Sequence, residues 1–376
     1  MTSAQKSPAE VSAGLARLYE DFAAADMVPL WTARDDLMPM QPTPRSLAHL
    51  WRWSVLYPLA QRAGDLVPVG RGGERRAIAL ANPTLGGEPY ATPTLWAAIQ
   101  YLGPREVAPE HRHSQNAFRF VLEGEGVWTV VDGDPVAMRR GDLLITAGGR
   151  FHGHHNATDQ PMAWLDGLDI PLQSYLDSTF FQFGSDEVTD YRTPSRSQSE
   201  LLWAHPGLAP LGAPTGAAAG TAGSVLAAYR WTATDAALTD LLTVGDEGRA
   251  GWIEPGHAAI RYTDPATGQD VLPTIRCEIH RIRGNTTGVI APAVGSSVWQ
   301  VFDGAAIVRI GVGENAVTHE VERGDVFVVP SWAGLAIEAG AGTDGESGAD
   351  ADFFCFSDAP VIEKLGLARA LADRAE

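Results

Sequence analysis

Short apolar runs dominate the chain from about residue 76 onward. They are rich in Val, Ile, Phe, Trp and Thr, and turns of Gly, Pro and Asp separate them. Many short strands at this spacing are typical of an all-β sandwich or barrel. We predict strands at Thr94–Leu102, Phe118–Leu122, Val127–Asp132, Asp142–Thr146, Thr274–Arg283, Val298–Phe302, Ala306–Ile310 and Asp325–Pro330.

The first 75 residues have a helical pattern instead. Ser7 and Glu10 have the spacing of a capping box, and Pro8 favours the first position of a helix. An apolar face follows at helical spacing, at Val11, Leu15, Leu18 and Phe22. A second helix is predicted to begin at Thr43-Pro44 and to be ended or kinked by Pro58. Its apolar residues are Leu47, Leu50, Trp51 and Leu56.

The strand-rich region contains an internal repeat. The segment that starts at Phe118 matches the one that starts at Val298, and Arg140-Gly141-Asp142 falls on Arg323-Gly324-Asp325. Such self-similarity implies two copies of one β unit. We predict an N-terminal helical segment at 1–75, a first barrel at 76–204, a connecting region at 205–250 and a second barrel at 251–376. Two stretches rich in small residues, 205–224 and 339–351, are predicted to be a mobile linker and a surface insertion.

Composition narrows the classes of partner. The formal net charge of −18 argues against nucleic acids and acidic membranes, which are polyanions, but not against a small anionic substrate. Only two cysteines occur, Cys277 and Cys355, and both lie in apolar runs. No apolar leader or run of about 20 apolar residues is present. A cytoplasmic protein without disulfides is the simplest expectation.

Five of the ten histidines lie between positions 111 and 155. His111 and His113 are two residues apart, as are His152 and His154, so each pair shares one face of a strand. A single strand histidine is usually structural, and we expect this of His155, which falls on the other face. Two such pairs in one β unit favour a metal site instead, and neutral imidazole suits Fe, Zn, Cu and Ni. The five remaining histidines show no ligand spacing: His49, His205, His257, His280 and His319.

The glycines around these histidines resemble the two motifs of the cupin superfamily. Gly141, Gly149, His152 and Asn156 have the spacing of the second motif, and His111-Arg112-His113 begins the first. The resemblance implies a double cupin, two small antiparallel barrels, with a metal in the mouth of the first.

Many cupins also supply a glutamate ligand, but Ala117, Phe118 and Arg119 occupy that stretch here. Three neutral histidines would leave up to three positions open on an octahedral ion. In the second unit the ligand positions become Ala291, Ala293 and Leu335, so we predict a metal-free second barrel.

Arginines suggest an anionic substrate. Arg119 has the same strand parity as His113 and should face inward, where guanidinium needs an anionic partner. That partner is either a substrate or a protein carboxylate such as Asp166, and for Arg71 and Arg75 the two alternatives are equal. Trp96, Ala98 and Gln100 share one strand face, either as the floor of a pocket for a flat hydroxylated ring or as core.

The stretch from Ile99 to Asn156 resembles gentisate 1,2-dioxygenases and their salicylate and 1-hydroxy-2-naphthoate relatives, and most of the chain shares the resemblance. It implies Fe(II) on His111, His113 and His152, and His154 near the substrate hydroxyl and the oxygen site. It implies that Arg71, Arg75 and Arg119 surround the substrate carboxylate, and that Trp96, Gln100 and Asp166 line or support the pocket. Ala98 favours gentisate over salicylate. The family also implies a homotetramer.

The implied reaction opens the ring of gentisate with O2, between the carboxyl-bearing and hydroxyl-bearing carbons, to give maleylpyruvate. One alternative is the same chemistry on salicylate or 1-hydroxy-2-naphthoate. A second is a zinc-dependent sugar-phosphate isomerase, whose site commonly includes a carboxylate ligand. A third is a non-catalytic double cupin that binds a small molecule.

Overall fold

Four antiparallel sheets build two β-barrels that pack against each other. The structure, a computed structural model, describes residues 8–69, 76–185, 195–214, 216, 223–340 and 348–370. Residue contacts divide the chain into two units, Met1–Pro44 and Arg45–Glu376, and both barrels belong to the second. The predicted double cupin is confirmed.

The described residues contain seven α-helices, of which the first two form the smaller unit. They are α1 (Pro8–Ala24), α2 (Leu30–Leu37), α3 (Trp53–Leu66), α4 (Ile170–Tyr175), α5 (Gln198–Trp203), α6 (Trp231–Asp246) and α7 (Ala359–Lys364).

The first barrel contains eleven of the strands in the described part of the chain. They are β2 (Ala77–Ala79), β3 (Trp96–Leu102), β4 (Val107–His113), β5 (Ala117–Glu123), β6 (Glu125–Val131), β7 (Asp134–Arg139), β8 (Leu143–Thr146), β9 (His152–Asn156), β10 (Met162–Leu168), β11 (Phe181–Phe183) and β12 (Ala228–Tyr229). They form a six-stranded sheet, β12-β8-β5-β10-β3-β2, and a five-stranded sheet, β11-β4-β9-β6-β7.

The second barrel contains the other ten. They are β1 (His49–Trp51), β13 (His257–Arg261), β14 (Arg276–Ile282), β15 (Thr287–Ile290), β16 (Ser297–Asp303), β17 (Ala305–Ile310), β18 (Val317–Glu322), β19 (Val326–Val329), β20 (Leu335–Ala339) and β21 (Ala351–Ser357). Its sheets are β1-β19-β16-β21-β14-β13 and β15-β20-β17-β18. All eight predicted strands are present, with ends shifted by one or two residues.

Side chains along β5 alternate between the contact of the two barrels and the interior of the first barrel. Phe118 and Phe120 face the second barrel, where Phe120 stacks on Phe354 with ring centroids 4.1 Å apart. Arg119, between them, faces the interior of the first barrel and is buried. One strand therefore builds the aromatic contact between the barrels and one wall of the site.

Each barrel receives one strand from the other half of the chain, whereas the helix that follows this strand packs on the barrel of its own half. β1 pairs with β19 of the second barrel, but α3, which follows it, packs on β3 of the first. β12 pairs with β8 of the first barrel, but α6 packs on β13 of the second. The internal repeat therefore includes these segments, which the sequence boundaries at residues 75 and 250 assigned to a helical segment and a connecting region.

The second predicted helix begins later than expected. Leu50 and Trp51 lie in β1, and the helix starts at Trp53 and contains Pro58. The cause is a cap supplied by a distant residue, because the Asp325 carboxylate accepts hydrogen bonds from the backbone N–H of Trp53 (2.8 Å) and from Arg52 Nη1 (2.9 Å). Local apolar spacing could not reveal a partner so far away in the chain.

The repeated Arg-Gly-Asp triplets explain this geometry. Asp142 caps α6 as Asp325 caps α3, since it accepts hydrogen bonds from the backbone N–H of Trp231 and from Arg230. The preceding glycines, Gly141 and Gly324, have φ of +83° and +93°, and a Cβ at either would meet the tryptophan that opens the helix.

The arginines of the triplets form ion pairs between the two barrels. Arg140 pairs with Asp303 at 2.9 Å, and Arg323 pairs with Glu123 at 2.6 Å.

We expect Asp325→Ala to lower the free energy of unfolding by about 2–4 kcal/mol, because it removes a buried carboxylate that accepts from the Trp53 backbone N–H and from Arg52. Chemical denaturation followed by circular dichroism measures this. The exposed pair Arg105–Asp159 provides the control, and Asp159→Ala should leave the unfolding midpoint unchanged. An equal response to the two substitutions would contradict the capping role of Asp325.

A buried histidine pair lies in the second barrel. His280 Nδ1 is 3.0 Å from His257 Nε2, and the His280 ring packs on Trp299. His280 Nε2 has no hydrogen-bond partner among the described residues. Burial lowers the pKa of His280 to about 3, and it also lowers the pKa of His257, which Glu254 partly offsets. Both rings are therefore neutral in the folded protein at pH 7.

The unfolded chain binds a proton on His280 below about pH 6.5, whereas the folded chain does not. The stability contribution of this histidine is therefore complete above pH 6.5 and decreases as the pH falls toward 3. His280→Gln should remove about 1–2 kcal/mol of the stability loss between pH 7 and pH 5. Denaturation of chelator-treated protein measures this, with His155→Gln as the control. A wild-type pH slope in His280→Gln would show that this histidine is not responsible.

Candidate metal centre and substrate cavity

Three imidazoles converge at one end of the first barrel. His111 and His113 lie on β4, His152 lies on β9, and His111 is directly opposite His152 in the strand pairing. One ring nitrogen from each lies within 4.8 Å of the others, and all three residues are buried. Within the described residues, no carboxylate or thiol joins this group.

Backbone carbonyls orient all three rings. The Nδ1 atoms of His111, His113 and His152 lie 3.2, 3.0 and 3.0 Å from the carbonyl oxygens of Pro109, Gln115 and Arg150, respectively. A carbonyl oxygen only accepts hydrogen bonds, so each Nδ1 carries the hydrogen and each Nε2 keeps its lone pair. Neutral imidazoles oriented in this way are suited to hold a metal ion.

A cavity of about 220 Å³ adjoins the histidines. It is smaller than the ~300–1,000 Å³ pockets of drug-sized ligands, so it suits a small molecule. Apolar and polar side chains line it: Ala77, Trp96, Gln100, His111, His113, Gln115, Ala117, Arg119, Asp166, Leu168, Ile170 and Phe181.

One wall of the cavity contains a buried arginine, Arg119. Arg119 Nε lies 3.6 Å from Asp166 Oδ1, and Arg119 Nη1 donates to Thr146 Oγ1 at 2.8 Å. Burial lowers the pKa of the Arg119 guanidinium, and the neighbouring Asp166 carboxylate raises it. Arg119 Nε and Gln100 Nε2 are buried and have no hydrogen-bond partner in the described part of the chain. Two donors are therefore available to an acceptor in the cavity.

The remaining predicted site residues do not line the cavity or lie outside the described residues. His154 is buried on the same strand face as His152, with ring centroids 6.4 Å apart, and it contacts Trp164. Ala98 is buried opposite Asp166 in the strand pairing but is not among the cavity-lining residues. Arg71 and Arg75 lie outside the described residues. Their contact with the substrate remains a prediction.

Residues 98–168 match the cupin domain family, and this span contains the three histidines. A gentisate 1,2-dioxygenase from Streptomyces sp is 58% identical over 355 residues, covering 94% of this chain and 94% of the relative. The chain belongs to the gentisate 1,2-dioxygenase family.

Two further relatives agree with this assignment. A 5-aminosalicylate 1,2-dioxygenase from Comamonas sp is 32% identical, covering 97% of this chain and 92% of the relative. The crystal structure of a salicylate 1,2-dioxygenase from Pseudoaminobacter salicylatoxidans, in adducts with gentisate, has a TM-score of 0.88 and 54% identity, covering 98% and 95% of the two chains. The protein is thus a ring-cleaving dioxygenase with a three-histidine group suited to a metal cofactor. No helix in the described ranges is long and apolar enough to span a membrane.

Sequence reasoning missed several residues of this family member's site. Phe181 on β11 stacks on His111 with centroids 5.1 Å apart, but nothing local relates a short strand to a histidine about 70 positions earlier. Trp164 donates a hydrogen bond to Asp166, and Thr146 accepts one from Arg119. Strand parity could have found Trp164, since it lies two residues before Asp166 and shares its face.

His111→Ala should lower metal affinity at least about a hundredfold, because even partners outside the ligand set change affinity 10–100-fold. Metal analysis after anaerobic loading measures the bound ion, and circular dichroism checks the fold. His155→Ala is the control, since the His155 ring packs on Trp128 and is not part of the group. Full metal content in His111→Ala would exclude this histidine as a ligand.

Proposed function

We propose that this protein is an Fe(II)-dependent dioxygenase that cleaves gentisate with O2, between the carboxyl-bearing and hydroxyl-bearing ring carbons, to give maleylpyruvate. The observation that carries the proposal is the shared cavity. The oriented imidazoles of His111 and His113 line the same small space as the buried donors of Arg119 and Gln100. A small aromatic acid offers matching groups to both sides of that space.

Ferrous ion fits the donor set. Three neutral imidazoles with fixed Nδ1 hydrogens, in a group that no carboxylate of the described residues joins, form a site for a divalent transition metal. His111, His113 and His152 would hold the ion. When bound, iron would supply the Lewis acidity and redox capacity that ring cleavage by O2 requires.

Arg119 binds the substrate carboxylate in this proposal. A buried guanidinium with an incomplete ion pair gains most from a planar anion that it can contact through two N–H groups. The Gln100 amide donates a further hydrogen bond from the neighbouring wall. Together these donors orient the ring and offset its negative charge, which lowers the barrier by positioning and electrostatics.

The remaining cavity residues bind the ring, and His154, which is not among the cavity-lining residues, transfers the proton. Trp96 and Phe181 provide aromatic surface, and Leu168 and Ile170 provide aliphatic surface that excludes water. His154, buried beside His152 on β9, is the group that accepts and relays the proton of the substrate hydroxyl on a ring nitrogen.

Salicylate and 1-hydroxy-2-naphthoate are the alternative substrates. The structural relative with 54% identity is a salicylate 1,2-dioxygenase, and its crystals contain gentisate. Gentisate is favoured by the 58% identical relative and by Ala98, the residue that the family resemblance associates with gentisate enzymes.

The proposal extends to location and assembly. Two buried, unpaired thiols, Cys277 and Cys355, favour the reducing cytoplasm. We also propose a homotetramer, which the family resemblance and the exposed apolar residues Val55, Leu59 and Leu66 of α3 favour. Light scattering should then give a mass close to four times the 40.1 kDa chain.

Oxygen uptake on the three acids tests the function. Protein loaded anaerobically with Fe(II) should consume one O2 per gentisate and form a ring-opened product, with kcat/KM at least about tenfold above that for salicylate or 1-hydroxy-2-naphthoate. Zinc-loaded protein is the control for iron and should consume none. A preference for either other acid would reassign the substrate, and the absence of oxygen-dependent turnover on all three would refute the proposal.

A further inference from the structure

We propose that Thr146 and Trp164 are positioning residues that hold Arg119 and Asp166 in the orientation that receives the substrate carboxylate. The inference rests on the proposed function, because it takes Arg119 as the carboxylate-binding group. Neither residue is among the cavity-lining residues, so both act through the side chains that they contact.

Thr146 fixes one end of the guanidinium. Its Oγ1 accepts a hydrogen bond from Arg119 Nη1 at 2.8 Å, and both residues are buried. An arginine side chain has many rotamers, and freezing them before substrate arrives removes an entropic cost from binding. With Nη1 engaged behind the cavity wall, Nε is held without a hydrogen-bond partner in the described residues.

Trp164 fixes the Asp166 carboxylate, as Thr146 fixes the Arg119 guanidinium. Its Nε1 donates to Asp166 Oδ1 at 3.1 Å, and the same oxygen lies 3.6 Å from Arg119 Nε, beyond hydrogen-bond distance. The indole therefore holds Asp166 near enough to offset the buried charge of Arg119, but not in a close ion pair that would compete with an incoming anion.

The second barrel provides an internal comparison. The strand pairing Ala117–Thr146 corresponds to Ser297–Val329, and the pairing Arg119–Asp166 corresponds to Trp299–Cys355. In the same way, Val121–Trp164 corresponds to Val301–Phe353.

At the position of Thr146, therefore, the second barrel has Val329, and at the position of Trp164 it has Phe353. Where no arginine has to be oriented, both polar groups are absent and the positions belong to an apolar core. The hydroxyl and the indole N–H are thus not requirements of the barrel itself. They are present in the barrel that contains the Arg119–Asp166 pair and absent from the barrel that lacks it.

The test uses the residues that the second barrel already contains. Thr146→Val removes the acceptor with little change of shape, and Thr146→Ser keeps the hydroxyl. Trp164→Phe removes the donor together with part of a fully buried ring, so the control ligand is needed to separate the two effects. Calorimetry with anaerobic, Fe(II)-loaded protein measures the Kd of gentisate. Catechol serves as the control ligand, because it offers two oxygen donors to a metal but has no carboxylate.

Thr146→Val should weaken gentisate binding by about tenfold or more, the usual effect of losing a hydrogen bond to a charged group. KM should rise by a similar factor while kcat changes much less. Thr146→Ser should stay within about twofold of wild type, Trp164→Phe should follow Thr146→Val, and catechol affinity should be unchanged in all variants. The gentisate affinity of Arg119→Lys, which keeps a cation but misplaces it, is the reference value for these variants.

Wild-type gentisate affinity in Thr146→Val and Trp164→Phe would overturn the inference. Equal weakening for gentisate and catechol would also overturn it, because that indicates general damage to the site. If Thr146→Val does not fold, Trp164→Phe decides by the same two ligands. Failure of the proposed function is distinguishable, since the wild-type protein would then show no oxygen-dependent turnover of gentisate.

Discussion

The whole site depends on hydrogen bonds that the three clustered histidines make to their own backbone neighbours. Pro109, Gln115 and Arg150 each lie two residues from the ring whose Nδ1 hydrogen their carbonyl accepts. The tautomer is therefore fixed locally, before any ligand binds, and each Nε2 lone pair is directed by the strand that carries the histidine. A metal ion bound there would not need to reorganise the protein, and the space beside it can be shaped by other strands.

The two barrels differ in the residues that face their interiors. The first has Arg119, Thr146 and Asp166 at inward positions of β5, β8 and β10. The second has Trp299, Val329 and Cys355 at the equivalent positions. The second barrel still constrains the first, because the exchanged strands β1 and β12 and the aromatic contact of Phe118 and Phe120 join them. These contacts fix the position of the strand that carries Arg119, the guanidinium that we propose binds the substrate carboxylate.

Much of the site could be read from the sequence because it depends on strand alternation. His111 and His113 share a face by a rule that needs no tertiary information, and Arg119 follows from the same parity. The repeat and all eight predicted strands came from the same kind of pattern. The start of α3 could not be read, because its cap is Asp325, in the opposite half of the chain. The same holds for α6, which is capped by Asp142, and for β11, whose pairing with β4 puts Phe181 against His111.

The most direct test of this account is a crystal structure of the iron-loaded protein with gentisate, grown without oxygen and measured at the iron absorption edge. The account predicts one iron per chain, bound by His111, His113 and His152, with the gentisate carboxylate within hydrogen-bond distance of Arg119. Iron in the second barrel, a protein carboxylate bound to the metal, or a gentisate carboxylate turned away from Arg119 would contradict it.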